Sequence, residues 1–242
     1  MRGVIDRLLV VFARAPLSEA RDKGLPEQPA SELFAAIARE WQEAARGAGA
    51  RIAISAPPED LRAWRRLLPD ADDVSWIEQR GSSFGIRLED TSRRANRFAR
   101  HVVVTGGDVF PSPAALGAAF GALASGADAA LAPAPDGGIS IVALPRDADL
   151  LRSIGRRRRD VFRSLWSRLR SRKRAVAVVA PVADLDGPRA LRNVDVTGSL
   201  RSLVRRLRRA CVLPIPRESP APFSRPAPTR SSAIFRGPPL AA

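Results

Sequence analysis

The 242 residues are enough for one sizeable hydrophobic core or two small ones, and 45% of them are apolar. A single cysteine, Cys211, excludes an intramolecular disulfide, and a single histidine, His101, excludes a Cys/His zinc cluster, so a reducing compartment is the simpler setting. The net charge of +15 is uneven: residues 1–150 carry 18 Lys+Arg against 20 Asp+Glu, whereas residues 151–242 carry 22 against 5, nearly all arginine, with Lys23 and Lys173 the only lysines.

Residues 8–13 form a short branched apolar run that reads as a buried parallel strand. The run is short for a signal sequence and far too short to span a bilayer, so a soluble cytoplasmic protein is expected. A polar loop is expected over 14–30, broken by Pro16, Gly24, Pro26 and Pro29. Ser31 then caps a helix that runs through Trp41 and ends at Gly47 and Gly49. A strand at 51–55 leads to a helix opened by Pro57 and Pro58 and closed by Pro69, then to a weaker strand at 74–77. After a glycine-bounded loop at 81–85, a helix is expected over 86–99, with Leu88, Ala95 and Phe98 as its buried stripe. Residues 102–105 make the strongest strand, and Pro113 opens the next helix at its first position.

Strands follow at 129–132 and 139–144, with a short helix or turn at 150–153. An amphipathic helix over 160–169 is expected to bury Val161, Phe162, Leu165, Trp166 and Leu169. A strand at 175–180, a short helix from Pro188 to Leu191 and a last helix at 200–207 complete the order. From Pro214 on, prolines and small polar residues show no apolar period, which predicts a domain over 1–212 and a disordered tail over 213–242. Alternating strands and helices predict a single three-layer α/β/α domain with a mostly parallel sheet. Such sheets bind ligands beyond the carboxyl ends of their strands, which singles out the loops 14–30, 79–87 and 106–113.

Four stretches carry chemistry. Arg21 and Lys23 could straddle a diphosphate, one bidentate and one as a point charge, although Glu19 and Asp22 beside them also suit a solvated loop. Gly106 and Gly107 allow a tight turn after a strand, and Asp108 there is either a ligand for Mg²⁺ or Mn²⁺ or a capping aspartate. Asp136-Gly137-Gly138 is either a plain turn or a place where a ligand approaches the backbone. Asp184 and Asp186 suggest a metal, but the sequence favours acidic groups ahead of the helix begun by Pro188. The arginines from Arg156 to Arg174, and those from Arg201 to Arg209, make either a solvated basic surface or a docking site for a polyanion or acidic partner. His101 reads as structural.

In order, Phe12-Ala-Arg-Ala-Pro16, Phe84-Gly-Ile-Arg87-Leu88, Gly106-Gly-Asp108, Asp136-Gly-Gly-Ile-Ser-Ile-Val-Ala-Leu144 and Asp184-Leu-Asp-Gly-Pro-Arg-Ala-Leu191 resemble motifs of the bacterial DUF2064 family over about residues 8–195. These are radical-SAM/selenodomain-associated transferases of GT-A, nucleotide-diphospho-sugar-transferase type. The resemblance implies a Rossmann-like GT-A sheet and a nucleotide-sugar or nucleotide substrate. It further implies Arg21, Lys23, Arg87, Gly106, Gly107, Gly137 and Gly138 at the substrate, Mg²⁺ or Mn²⁺ at Asp108, and Asp136 as the catalytic residue. The chain departs from the family at Ile86 (glutamate), Val109-Phe110 (Cys-Pro), Ile139-Ser140 (paired tyrosines) and Arg156–Arg159 (a Trp-Ser-Thr segment). The departures imply weakened or lost catalysis as one outcome. A guanylyltransferase-like nucleotidyltransferase acting on a phosphorylated small molecule, and a non-catalytic scaffold docking polyanions through the arginine-rich part, are the alternatives.

Overall fold

The structure, a computed structural model, describes residues 5–68, 73–144, 149–152, 154, 160–192, 194, 196 and 198–211. The expected tail at 213–242 and the arginines 156–159 lie outside the described residues.

Seven strands form one sheet in the order β3-β2-β1-β4-β6-β5-β7. β1 (Ile5–Phe12) pairs in parallel with β2 (Arg51–Ala56) and with β4 (Ala99–Gly106), and β2 with β3 (Val74–Glu78). β6 (Ile139–Ala143) runs antiparallel to both β4 and β5 (Ala129–Pro133), and β7 (Val176–Val178) runs parallel to β5. The sheet is therefore mostly parallel, with one reversed strand set between its two halves.

The period of two along each strand divides the core into two layers. Leu9 and Val11 of β1, Val103 of β4 and Ile141 of β6 face one side. They meet α2 (Glu27–Gly47), α3 (Pro58–Leu67), α5 (Pro113–Ala124) and α7 (Leu200–Cys211) there. Leu8, Val10 and Phe12 of β1, Val102 and Val104 of β4 and Val142 of β6 face the other side and meet α4 (Phe84–Ala95) and α6 (Val161–Ser171). Near-continuous apolar strands covered on both faces account for the runs seen in the sequence.

The structure corrects four expectations. The polar loop at 14–30 contains a seven-residue helix, α1 (Pro16–Asp22), because Pro16 occupies the helix start, where a missing N–H is harmless. α2 begins at Glu27 rather than after Ser31, since Pro29 falls within the first turn, whose N–H groups have no intrahelical partner. α4 ends at Ala95, and Phe98 is 64% exposed: pairing of Ala99 with Ile5 overrides the helical period. Trp166 is 39% exposed rather than buried, with the Arg170 guanidinium 5.8 Å from its ring centre, while Leu165 and Leu169 form the buried seam of α6.

Candidate functional site

A cleft of about 550 Å³ opens beyond the carboxyl ends of β1 and β4, where the parallel half of the sheet meets β6. Its floor is the close meeting of two strand tips. The Gly107 amide donates to the Phe12 carbonyl at 3.0 Å, and a Cβ on Gly107 would lie 2.5 Å from that of Ala13, so this approach requires glycine. The following residues, Val109 and Phe110, are buried in the core, and the Trp41 indole of α2 donates to the Val109 carbonyl at 2.8 Å. The buried Gln79 amide, directly after β3, donates to the carbonyls of Ala13 and Ser55 at 3.1 and 2.9 Å and ties the ends of β1 and β2 together.

The segment 182–187 closes the opposite side. It lies along the tip of β4, with Phe110 N–H to Ala183 O at 2.9 Å, Leu185 N–H to Asp108 O at 3.0 Å, and a bridge between Val109 and Asp184. Ser140, buried in β6, donates its hydroxyl to the Val182 carbonyl at 2.6 Å, while its own carbonyl accepts from the Thr105 hydroxyl at 2.9 Å. Ser140, which stands where the resembled family has tyrosine, thus anchors this acidic strip to the sheet.

Two charged clusters meet across the cleft. The Lys23 ammonium lies 2.5 Å from Asp108 Oδ2, 2.9 Å from Asp186 Oδ1 and 3.5 Å from Glu19 Oε1, with its side chain 8% exposed. Burial works to lower the Lys23 pKa, but Asp108 and Glu19, with a smaller contribution from Asp186, outweigh it and hold the group charged. Beside it, Asp136, Asp184 and Asp186 each present a carboxylate oxygen, all within 4.8 Å of one another. The Asp184 carboxyl is pushed up to about 7, first by burial and then by the neighbouring Asp186, Asp108 and Asp136, with Lys23 opposing. Three oxygen donors in reach of one point, one of them kept first by burial and then by neighbouring negative charge from ionising at its ordinary value, fit a hard divalent cation such as Mg²⁺ or Mn²⁺.

The sequence expectations divide accordingly. Lys23, Arg87, Gly106, Gly107, Asp108, Asp136 and Gly138 all line the cleft; Arg21 and Gly137 are not among the lining residues. α1 is the reason for Arg21: residues four apart share a helix face, whereas residues two apart lie about 200° around it. Glu19 and Lys23 therefore face the cleft, and Arg21 turns outward to grip Glu27 with bonds of 2.8 and 3.0 Å. Gly137 spends its amide on Ala134 O at 3.1 Å and its carbonyl on Phe162 N at 3.3 Å. Asp108 stands outside the group of three carboxylates that could share one metal, and its partner is Lys23. Asp136 belongs to that group and also accepts from Gly138 N at 2.8 Å. Among the described residues the element that next follows Asp184, Asp186 and Pro188 is the 3-10 helix Ala190–Arg192, not an α-helix.

Arg14, Glu19 and Asp22 also line the cleft, and Arg14 ion-pairs with Asp22. Arg14, two residues after β1, was marked in the sequence only as part of the Phe12-Ala-Arg-Ala-Pro16 motif. The described basic residues do not make one patch, because α6, with exposed Arg163 and Arg170 and with Lys173 just beyond its end, and α7, with exposed Arg201, Arg205 and Arg209, cover opposite faces of the sheet.

The sheet order and a cleft at the carboxyl ends of the central strands define a three-layer, GT-A-like α/β protein of the kind shared with nucleotidyltransferases. The family model of DUF2064, described as an uncharacterized protein conserved in bacteria, matches residues 40–158. A Desulfovibrio desulfuricans protein provisionally named a nucleotide-diphospho-sugar transferase superposes with a TM-score of 0.71 at 19% identity, over 86% of this chain and 97% of that one. The inositol-1-phosphate CTP transferase of T. maritima gives 0.53 at 10% identity, over 86% and 98%. The 4-diphosphocytidyl-2C-methyl-D-erythritol synthase of Anaerococcus prevotii gives 0.53 at 10%, over 84% and 97%. At these identities the likeness is one of fold. No curated protein matches the sequence. No helix among the described residues is long and apolar enough to cross a membrane.

Proposed function

We propose that the cleft binds the diphosphate of a nucleotide-diphospho-sugar together with Mg²⁺ or Mn²⁺, and that the protein is a transferase of that class. The observation that carries this reading is the meeting of Lys23 and Asp108 with Asp136, Asp184 and Asp186 at the carboxyl ends of the central strands. Three carboxylates, Glu19, Asp108 and Asp186, pair with one ammonium, and Asp136 and Asp184 stand beside Asp186. A diphosphate adds further negative charge and therefore needs a divalent cation to enter. In this reading Asp136, Asp184 and Asp186 hold the cation, Lys23 and Arg87 take phosphate oxygens, and Gly106, Gly107 and Gly138 leave room along the floor. When bound, the cation would neutralise the charge that grows on a departing diphosphate.

Isothermal titration of the protein with UDP-, GDP- and CDP-sugars in the presence of Mn²⁺ tests it. Binding should require Mn²⁺ and should weaken sharply in Asp184→Asn; an absence of binding across the panel removes the reading. Release of pyrophosphate from a nucleoside triphosphate plus a phosphorylated acceptor would instead make the transferred group a nucleotidyl one.

A further inference from the structure

The Lys23 ammonium stands between carboxylates that would otherwise repel one another. It bridges Asp108 and Asp186, which belong to different parts of the chain. Asp186 is shared: one of its oxygens accepts from Lys23, and it is also one of the three carboxylates that could hold a divalent cation. A dication on that cluster would sit beside the ammonium and repel it. Lys23 is the C-terminal cap of α1, and its backbone N–H remains bonded to Glu19 O, so the charge can move on its four-carbon stem while the helix stays in place.

We propose that Lys23 is a tethered cation that guards Asp108 and Asp186 in the free protein, and that a ligand phosphate opens the site by drawing the ammonium away. Asp108 and Asp186 then become available to the divalent ion. Metal and phosphate reinforce one another, each raising the affinity of the other by the same factor. The phosphate half of this inference rests on the nucleoside-diphosphate reading of the cleft; the competition between Lys23 and a metal does not.

The closing experiment therefore begins without nucleotide. Mn²⁺ is titrated calorimetrically into the full chain and into Lys23→Met. The variant should bind Mn²⁺ about tenfold more tightly, a gain that Lys23→Met combined with Asp108→Asn should abolish. Equal or weaker binding by Lys23→Met overturns the proposal, as does an absence of Mn²⁺ binding in both proteins. Should Lys23→Met fail to fold, the unmodified sequence answers the question by amine labelling and mass spectrometry, because Lys23 and Lys173 are the only lysines and Lys173 is exposed. Lys23 should label slowly beside Lys173 in the free protein and faster at saturating Mn²⁺; an unchanged ratio overturns the proposal. A Mn²⁺ gain in Lys23→Met without nucleotide binding would sink the nucleotide reading and leave the competition intact. Nucleotide binding without that gain would do the reverse.

Discussion

The two halves of the sheet contribute opposite kinds of group to one cleft. The parallel half, β3-β2-β1-β4, supplies Lys23, Arg87 and the glycine tip, and it is tied together by buried donors such as Gln79 and Trp41. The half that contains the reversed strand β6 supplies Asp136 from the turn entering β6, and Asp184 and Asp186 from the strip held by Ser140. Asp108 stands at the seam, on the parallel half by sequence and against the acidic strip by its backbone. Cations with Glu19 and Asp22 on one bank and the cluster of three carboxylates on the other are an arrangement that neither half could complete alone.

Substitutions can break each half separately. The largest stability effect is expected for Trp41→Ala, which empties a fully buried indole site on the parallel half and frees the Val109 carbonyl. A loss of about 3–5 kcal/mol should appear in urea denaturation. Asp184→Asn should act the other way. Nucleotide and Mn²⁺ affinity should fall about tenfold or more by titration calorimetry, while the fold gains stability. The gain has a defined pH dependence. The folded carboxyl titrates near 7 against an ordinary value of 3.8, so the folded state holds the proton more tightly, and this group costs stability progressively as pH rises through that window. Melting temperatures of the parent and of Asp184→Asn should therefore diverge between pH 4 and 7 and run parallel above it; divergence confined to higher pH would contradict the assignment.

Ser140→Ala should cost less, about 1–2 kcal/mol, by leaving the Val182 carbonyl without its donor. It should also weaken Mn²⁺ binding through a looser acidic strip, which distinguishes an anchor from ordinary packing. The smallest effect belongs to Arg21→Ala. Its guanidinium grips Glu27 on the surface, away from the cleft, and neither nucleotide affinity nor melting temperature should change measurably. A clear loss of nucleotide binding would return Arg21 to the site.

Much of the chemistry was legible in the chain. Asp108 after a strong strand, Asp136 before two glycines and Lys23 in the first inter-strand stretch all stand out as groups suited to a metal or phosphate. Their pairing was not legible. Arg21 and Lys23 look equivalent in sequence until a short helix separates their faces, and seven residues are too few for periodicity to reveal that helix. Asp184 and Asp186 looked like residues ahead of a helix because local sequence contains their distance to Pro188 but not their distance to Asp136.

The sequence by itself determined the alternation of strands and helices, since side-chain period and turn residues are properties of near neighbours. It also determined which carboxylates and cations were present. The tertiary structure alone decided that β6 enters the sheet reversed beside β4, which brings Ser140 against Val182 and sets 182–187 along the tip of β4. That choice depends on hydrogen bonds between segments tens of residues apart, and it is what turns five scattered acidic residues and one lysine into a site.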